Sequence, residues 1–232
     1  MGGQACVFYG AAEFSRDVDL LILAESQNLA SLRAGLEALE AELIAVPDFE
    51  ERHLLRGHGV HFRCRRGDVA GLRIDLMASL RGVPGFEELW ARRTTIEVEG
   101  EPVDLLGMED LVRAKKTQRD KDWPMIRRLV EQSYFGQSGS ATQELVRFWL
   151  RELRTPELLM EVAAAHPDLA RAEATSRPAV RAALLPRLDD VVEALEAEER
   201  EERRKDREYW APLKRELEEI RHDRRKKEDF EA

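Results

Sequence analysis

GGQACVFYGAAEFSRDVDLLILA, residues 2–24, is the stretch whose reading decides the fold. It ends in Asp17-Val18-Asp19-Leu20-Leu21-Ile22-Leu23, an apolar run of strand length that opens on two carboxylates. Such a run, bounded by a turn, predicts a buried strand over residues 18–23. Residues i and i+2 of a strand point to one face, so Asp17 and Asp19 project together while Val18 and Leu20 face the other way. Two carboxylates so placed repel, and one takes up a proton unless a cation neutralises them. Hard oxygen donors at this spacing suit Mg²⁺ or Mn²⁺. Ahead of the strand, residues 4–9 predict a helix of about two turns that Gly10 closes. Residues 13–16 predict a turn.

Downstream, Leu29, Leu32, Leu36, Leu39 and Leu43 recur at helical spacing and predict a helix over residues 26–42, followed by a short strand at 43–46. Residues 53–59 read as a loop. Residues 60–65 alternate, with Val60, Phe62 and Cys64 opposite His61, Arg63 and Arg65. Residues 72–77 alternate again, and the two runs predict an antiparallel hairpin. Asp75 is a third carboxylate on that second strand, and Asp104, in a further small hairpin at 94–106, is its rival. Helices are expected at 84–93, 107–116 and 123–134. Gly136-Gln137-Ser138-Gly139-Ser140 reads as a linker. Beyond it everything predicts helix, ending in a long charged one with Glu199/Arg203 and Glu201/Lys205 as i,i+4 partners. Pro212 is expected to interrupt or kink that helix.

The expectation is thus an α+β chain: a mixed sheet flanked by helices over residues 1–135, a linker at 136–140, and an all-helical region over 141–232. Hydrophobic residues make up 43% of the chain, enough for a real core, and the net charge of −9 argues against coating nucleic acid by bulk charge. The sequence holds no apolar run of membrane-spanning length. Two cysteines, Cys6 and Cys64, make no disulfide framework. With no secretory leader in view, the cytoplasm is the expected compartment. His58, His61 and Cys64 lack a fourth ligand for zinc. Cys6 reads as a small core residue, His61 or Arg63 could line a cleft, and the basic run at 224–227 sits among acids.

An apolar residue, Gly2-Gly3, thirteen residues and then Asp17-Val18-Asp19-Leu20 resembles the signature of the DNA polymerase beta-like nucleotidyltransferase superfamily. Met108-Glu109-Asp110-Leu111-Val112-Arg113-Ala114-Lys115-Lys116, followed by Arg119-Asp120-Lys121-Asp122, resembles the second half of the bacterial nucleotidyltransferases of abortive-infection toxins. The resemblance covers residues 1–132. It implies a nucleotidyltransferase-type fold in which Asp17, Asp19 and Asp75 hold two Mg²⁺ or Mn²⁺ ions and Asp75 also activates the attacking hydroxyl. Gly2, Gly3, Ser15, Lys115 and Asp122 would contact the nucleotide. Residues 111–128 carry seven basic and two acidic side chains, which suits a local anion site. Three positions depart from the family: Glu13 stands where it has an Arg, Met125 where it has a second acid, and only Met1 precedes the glycine pair.

The reading that follows is transfer of NMP from an NTP to an acceptor hydroxyl on a protein, a tRNA end or a small molecule, in a toxin–antitoxin-like setting. The alternative, which the departures favour, is a fold of this kind without catalysis. It would serve as a binding or assembly module through its helical tail, where a coiled-coil arm could join a second copy or a partner protein.

Overall fold

A computed structural model describes residues 1–231, with side chains through residue 227. The chain is α+β and divides into two compact units. The sheet unit comprises Met1–Phe8, Ala12–Ala114 and Glu208–Ala232, and the helical unit Tyr9–Ala11 and Lys115–Arg207. Among the described residues no helix is long and apolar enough to cross a membrane.

In the sheet unit, α1 (Gly2–Phe8) leads to β1 (Asp17–Leu21), α2 (Ser26–Ala38), β2 (Ala41–Leu43), α3 (Glu51–Arg56), β3 (Val60–Cys64) and β4 (Arg73–Met77). The four strands form one mixed sheet in the order β1-β4-β3-β2. β1 runs parallel to β4, and the other neighbours are antiparallel. The alternation read from the sequence sorts the two faces. Val60, Phe62, Cys64, Ile74 and Leu76 point to one side and bury against Leu29 and Leu36 of α2 and Leu54 of α3. Phe49 meets Phe62 edge-on at 5.6 Å between ring centroids. Complete burial of a Leu side chain is worth about 1.5–3 kcal/mol, so Leu29, Leu54 and Leu76, each at most 1% exposed, anchor this layer. The opposite face carries Asp17, Asp19, His61, Arg63, Arg73 and Asp75. Beyond the sheet come α4 (Phe86–Ala91), the hairpin β5 (Thr94–Val98) and β6 (Glu101–Leu105), and α5 (Met108–Ala114).

The helical unit holds α6 (Asp122–Gln137), α7 (Gln143–Glu152), α8 (Pro156–Ala165), α9 (Pro167–Glu173), α10 (Pro178–Ala183) and the first part of α11 (Leu188–Glu231). Pro156, Pro167 and Pro178 each open a helix, where the missing N–H costs nothing. Thr142 caps α7 by accepting from the Leu145 N–H. Trp149, 1% exposed, donates its indole N–H to Ser133 Oγ at 3.0 Å in the core.

The structure departs from the sequence reading at five places. Within the stretch 53–59 read as a loop, residues 53–56 belong instead to a helix that starts at Glu51, because Leu54 is drawn into the core and Gly57 at φ +102° supplies the stop. The helix expected to reach residue 42 ends at Ala38, since Glu40 turns the chain at φ +48°. The short strand accordingly falls at Ala41–Leu43, with Ala41 opposite Cys64. Gly136 and Gln137 complete α6, and Ser138–Ser140 is a 3-10 turn rather than an open linker. Finally, Pro212 does not interrupt α11, which runs on through it as one helix. An interior proline costs a helix about 3 kcal/mol. Here the next residue, Leu213, is buried at 6% exposure, and Glu216 one turn on is bound by Arg56 and His58.

Candidate functional site

Strand register assembles the acids. Asp19 of β1 stands directly across from Asp75 of β4, and Asp17 across from Arg73. On the far side of β4, His61 of β3 stands across from Asp75 and Arg63 across from Arg73. Residues in register on adjacent strands share a face. Asp17, Asp19 and Asp75 therefore gather on one side of neighbouring strands, fifty-six residues of sequence separating Asp19 from Asp75.

Each carboxylate has its own surroundings. Asp75 is 7% exposed, and its Oδ1 accepts from His61 Nδ1 and from Arg73 Nε, both at 2.8 Å. Burial alone would push its pKa up, but the His61 and Arg73 hydrogen bonds outweigh that and hold it below the usual carboxylate range. A carboxyl kept ionised in this way is suited to holding positive charge and is a weak proton acceptor. The Arg73 pKa is raised, first by its bond to Asp75 and further by the charges of Asp17 and Asp19. Asp19 Oδ2 accepts the Gly3 N–H at 3.2 Å.

The glycine pair is required by this geometry. Gly2 enters α1 at φ +63°, and a Cβ there would run into the Asp19 carboxylate. A Cβ on Gly3 would press on Ser15 Oγ, which itself donates to the Asp17 carbonyl at 3.0 Å. Gly2, Gly3, Ser15, Asp17, Asp19 and Asp75 thus form one constellation in the sheet unit.

Lys115 and Asp122 belong to the helical unit. Asp122 is fully buried and accepts from Lys115 Nζ at 3.1 Å, Thr117 Oγ1 at 2.5 Å and Arg119 Nε at 2.7 Å. Burial would raise its pKa, but the Lys115 charge, with Thr117 and Arg119, brings it below the ordinary value. The ammonium expected at a phosphate is, in this structure, the partner of that carboxylate.

Three oxygen-donor carboxylates suit a hard divalent ion. Among the described residues, however, no group of three or more His, Cys, Asp or Glu side chains is placed so that it could hold a metal ion. The Arg73 guanidinium is a positive charge bonded to one of these carboxylates, and the Met1 ammonium donates to the Asp19 carbonyl at 2.9 Å. Arg73 is the residue that sequence reasoning missed, although it lies two positions before Asp75 and so on the same strand face. Asp104, the rival third acid, lies on β6 of the separate hairpin and is held by Thr95 Oγ1 at 2.6 Å and Arg93 Nε at 2.9 Å. His58 is bound to Glu216 and Cys64 is buried in the core, so neither joins His61. No family model, no curated protein and no solved structure matches this chain.

Proposed function

We propose that the chain is a nucleotidyltransferase that moves NMP from an NTP to an acceptor hydroxyl. The observation that carries this reading is the meeting of Asp17, Asp19 and Asp75 on one strand face beside Gly2, which has no room for a side chain. When bound, Mg²⁺ or Mn²⁺ would be held by these three carboxylates and would stabilise charge on the attacking and leaving oxygens. The side-chain-free backbone at Gly2-Gly3 gives a triphosphate close approach. The acceptor oxygen bonds to the α-phosphorus, the bond to pyrophosphate breaks, and the hydroxyl proton passes to solvent, because the His61 and Arg73 hydrogen bonds that lower the Asp75 pKa make that carboxylate a weak base. His61 and Arg73 fix the orientation of Asp75 through its Oδ1 atom.

The test is incubation of the protein with each α-labelled NTP, Mg²⁺ and a cell lysate, followed by identification of the labelled species as protein, RNA or small molecule. Asp19→Asn is expected to lower labelling at least about 100-fold, more than typical losses for groups that merely support a metal ligand, while leaving the melting temperature within a few degrees. Labelling by Asp19→Asn at the wild-type rate would refute the proposal.

One observation favours a second reading, a related fold that binds without catalysing. Arg73 and His61 already satisfy Asp75 Oδ1, and the Gly3 N–H occupies Asp19 Oδ2. On this reading no NTP binds with Mg²⁺ at millimolar concentration in a calorimeter. The helical tail then carries the function, and deleting residues 187–232 changes the oligomeric state.

A further inference from the structure

Transfer to a hydroxyl releases a proton, and one side chain on the acid face of the sheet unit is placed to receive it. Strand register sets Asp17, Asp19 and Asp75 on that face with Arg63, Arg73 and His61. A guanidinium keeps its protons, so neither arginine is a base. Glu42, one strand farther on β2, is bound by Arg65 at 2.7 Å. His61 is the imidazole among these groups, and imidazole is the side chain that most often accepts a proton in catalysis.

The hydrogen bonds of the ring decide which nitrogen is open. Nδ1 lies 2.8 Å from Asp75 Oδ1 and 3.3 Å from Arg73 Nη2. An ionised carboxylate only accepts and a guanidinium only donates, so the two neighbours favour opposite tautomers. The Asp75 contact is the shorter of the two, and Arg73 already donates from Nε to Asp75 at 2.8 Å. Nδ1 therefore carries the proton, and the lone pair of the ring is on Nε2. Among the described residues nothing is hydrogen-bonded to Nε2. The His61 side chain is 31% exposed, so this lone pair is within reach of a substrate.

Gly59 keeps the approach to Nε2 clear. A Cβ at this position would stand 3.4 Å from His61 Cε1 and 3.6 Å from Nε2, against the outer edge of the ring. Gly59 is not among the glycines with a left-handed backbone, so the chain path does not require a glycine there. What the missing side chain provides is room beside Nε2.

We propose that His61 is a catalytic residue of the transferase, its Nε2 accepting the hydrogen bond and then the proton of the acceptor hydroxyl. As the acceptor oxygen bonds to the α-phosphorus, the O–H bond breaks toward Nε2 and pyrophosphate departs with the electrons of its own bond to phosphorus. The ring passes the proton on to solvent from its exposed edge, and Asp75 holds it through Nδ1 throughout. This rests on the transferase reading and adds to it the group that receives the proton.

The test has a metal-free arm and a turnover arm. In the first, the full chain in EDTA carries isotope-labelled histidines, and the His61 signals are those lost in His61→Asn. NMR is expected to show the uncharged ring as the Nδ1–H tautomer. The Nε2–H tautomer would overturn the proposal whatever the activity. In the second arm, His61→Asn keeps an amide N–H in the place of Nδ1 but has nothing in the place of Nε2. Its labelling rate at saturating NTP should fall about 100-fold or more, with KM for the NTP within a few-fold of the wild type. Gly59→Ala, which leaves the His61–Asp75 bond alone, should slow labelling several-fold and stands as the test if His61→Asn does not fold. Labelling at the wild-type rate by His61→Asn, or by Gly59→Ala where it stands alone, would overturn the His61 assignment and leave the transferase reading in place. A wild-type chain that labels nothing with any NTP would overturn both.

Discussion

Arg73 gives the acids of the sheet unit an internal counter-charge. It bonds Asp75 and feels Asp17 and Asp19, so part of the repulsion among the carboxylates is answered within the chain. On the proposed reading a divalent cation would compete for the same position. In Arg73→Met that competition is removed and the acids need an external cation. The melting temperature of Arg73→Met should therefore rise with millimolar Mg²⁺ more than that of the wild type. A ligand at 100 times its Kd stabilises by about 2.7 kcal/mol, so the difference is readable in a thermal scan. Identical Mg²⁺ responses in the two proteins would favour the binding-only reading. The sequence disclosed the acids because strand alternation is a two-residue rule that any reader can apply to Asp17, Asp19 and Asp75. It did not disclose Arg73 as their counter-charge. That depends on β1 lying beside β4 in parallel, a pairing between strands fifty residues apart that no local pattern encodes.

At the scale of elements, the C-terminal part of α11 is fastened to the sheet unit by charge as well as by Leu213. Arg56 forks onto Glu216, and His58 bonds its second oxygen at 3.0 Å. The Arg56 hydrogen bonds, more than enough to offset slight burial and helped by His58, hold the Glu216 carboxyl down to about 2. A carboxylate with a lowered folded-state pKa contributes stability that is complete above its ordinary value and is lost as pH falls through the lowered one. The attachment is thus expected to be intact at pH 5 and to weaken progressively toward pH 2. Amide exchange over residues 208–220 should accelerate across that interval, and Glu216→Gln should flatten the dependence. An equal pH response in Glu216→Gln would remove Glu216 from the account. The elements themselves were mostly legible, since β3, β4 and the β5-β6 hairpin follow alternation and α7 follows its apolar stripe. The errors at α3 and Pro212 share a cause. Pro212 is a local breaker and Glu51–Arg56 is too short to announce itself as a helix, and long-range contacts hold both helical, Leu54 in the core and Glu216 on Arg56.

For the whole molecule, the notable feature is that the sheet unit is built from three separated stretches of chain, the last beginning at Glu208. Deleting residues 208–232 removes Leu213 from beside Gly57 and strips Arg56 and His58 of their carboxylate. Loss of one buried Leu side chain alone costs about 1.5–3 kcal/mol. Exchange protection of α3 and β3 should therefore fall in the truncated protein while α7 and α8 keep theirs. Unchanged protection throughout would show that the tail is dispensable to the sheet. Residue order also has a temporal meaning during synthesis. A ribosome releases β1, β3 and β4, with all three acids, long before it makes the segment that completes their unit. The helical unit, whose main stretch closes at Arg207, is whole first. The acidic constellation would thus mature only after the stretch beginning at Glu208 has been made, and a chain cut short before Glu208 would carry every proposed ligand on an unfinished support.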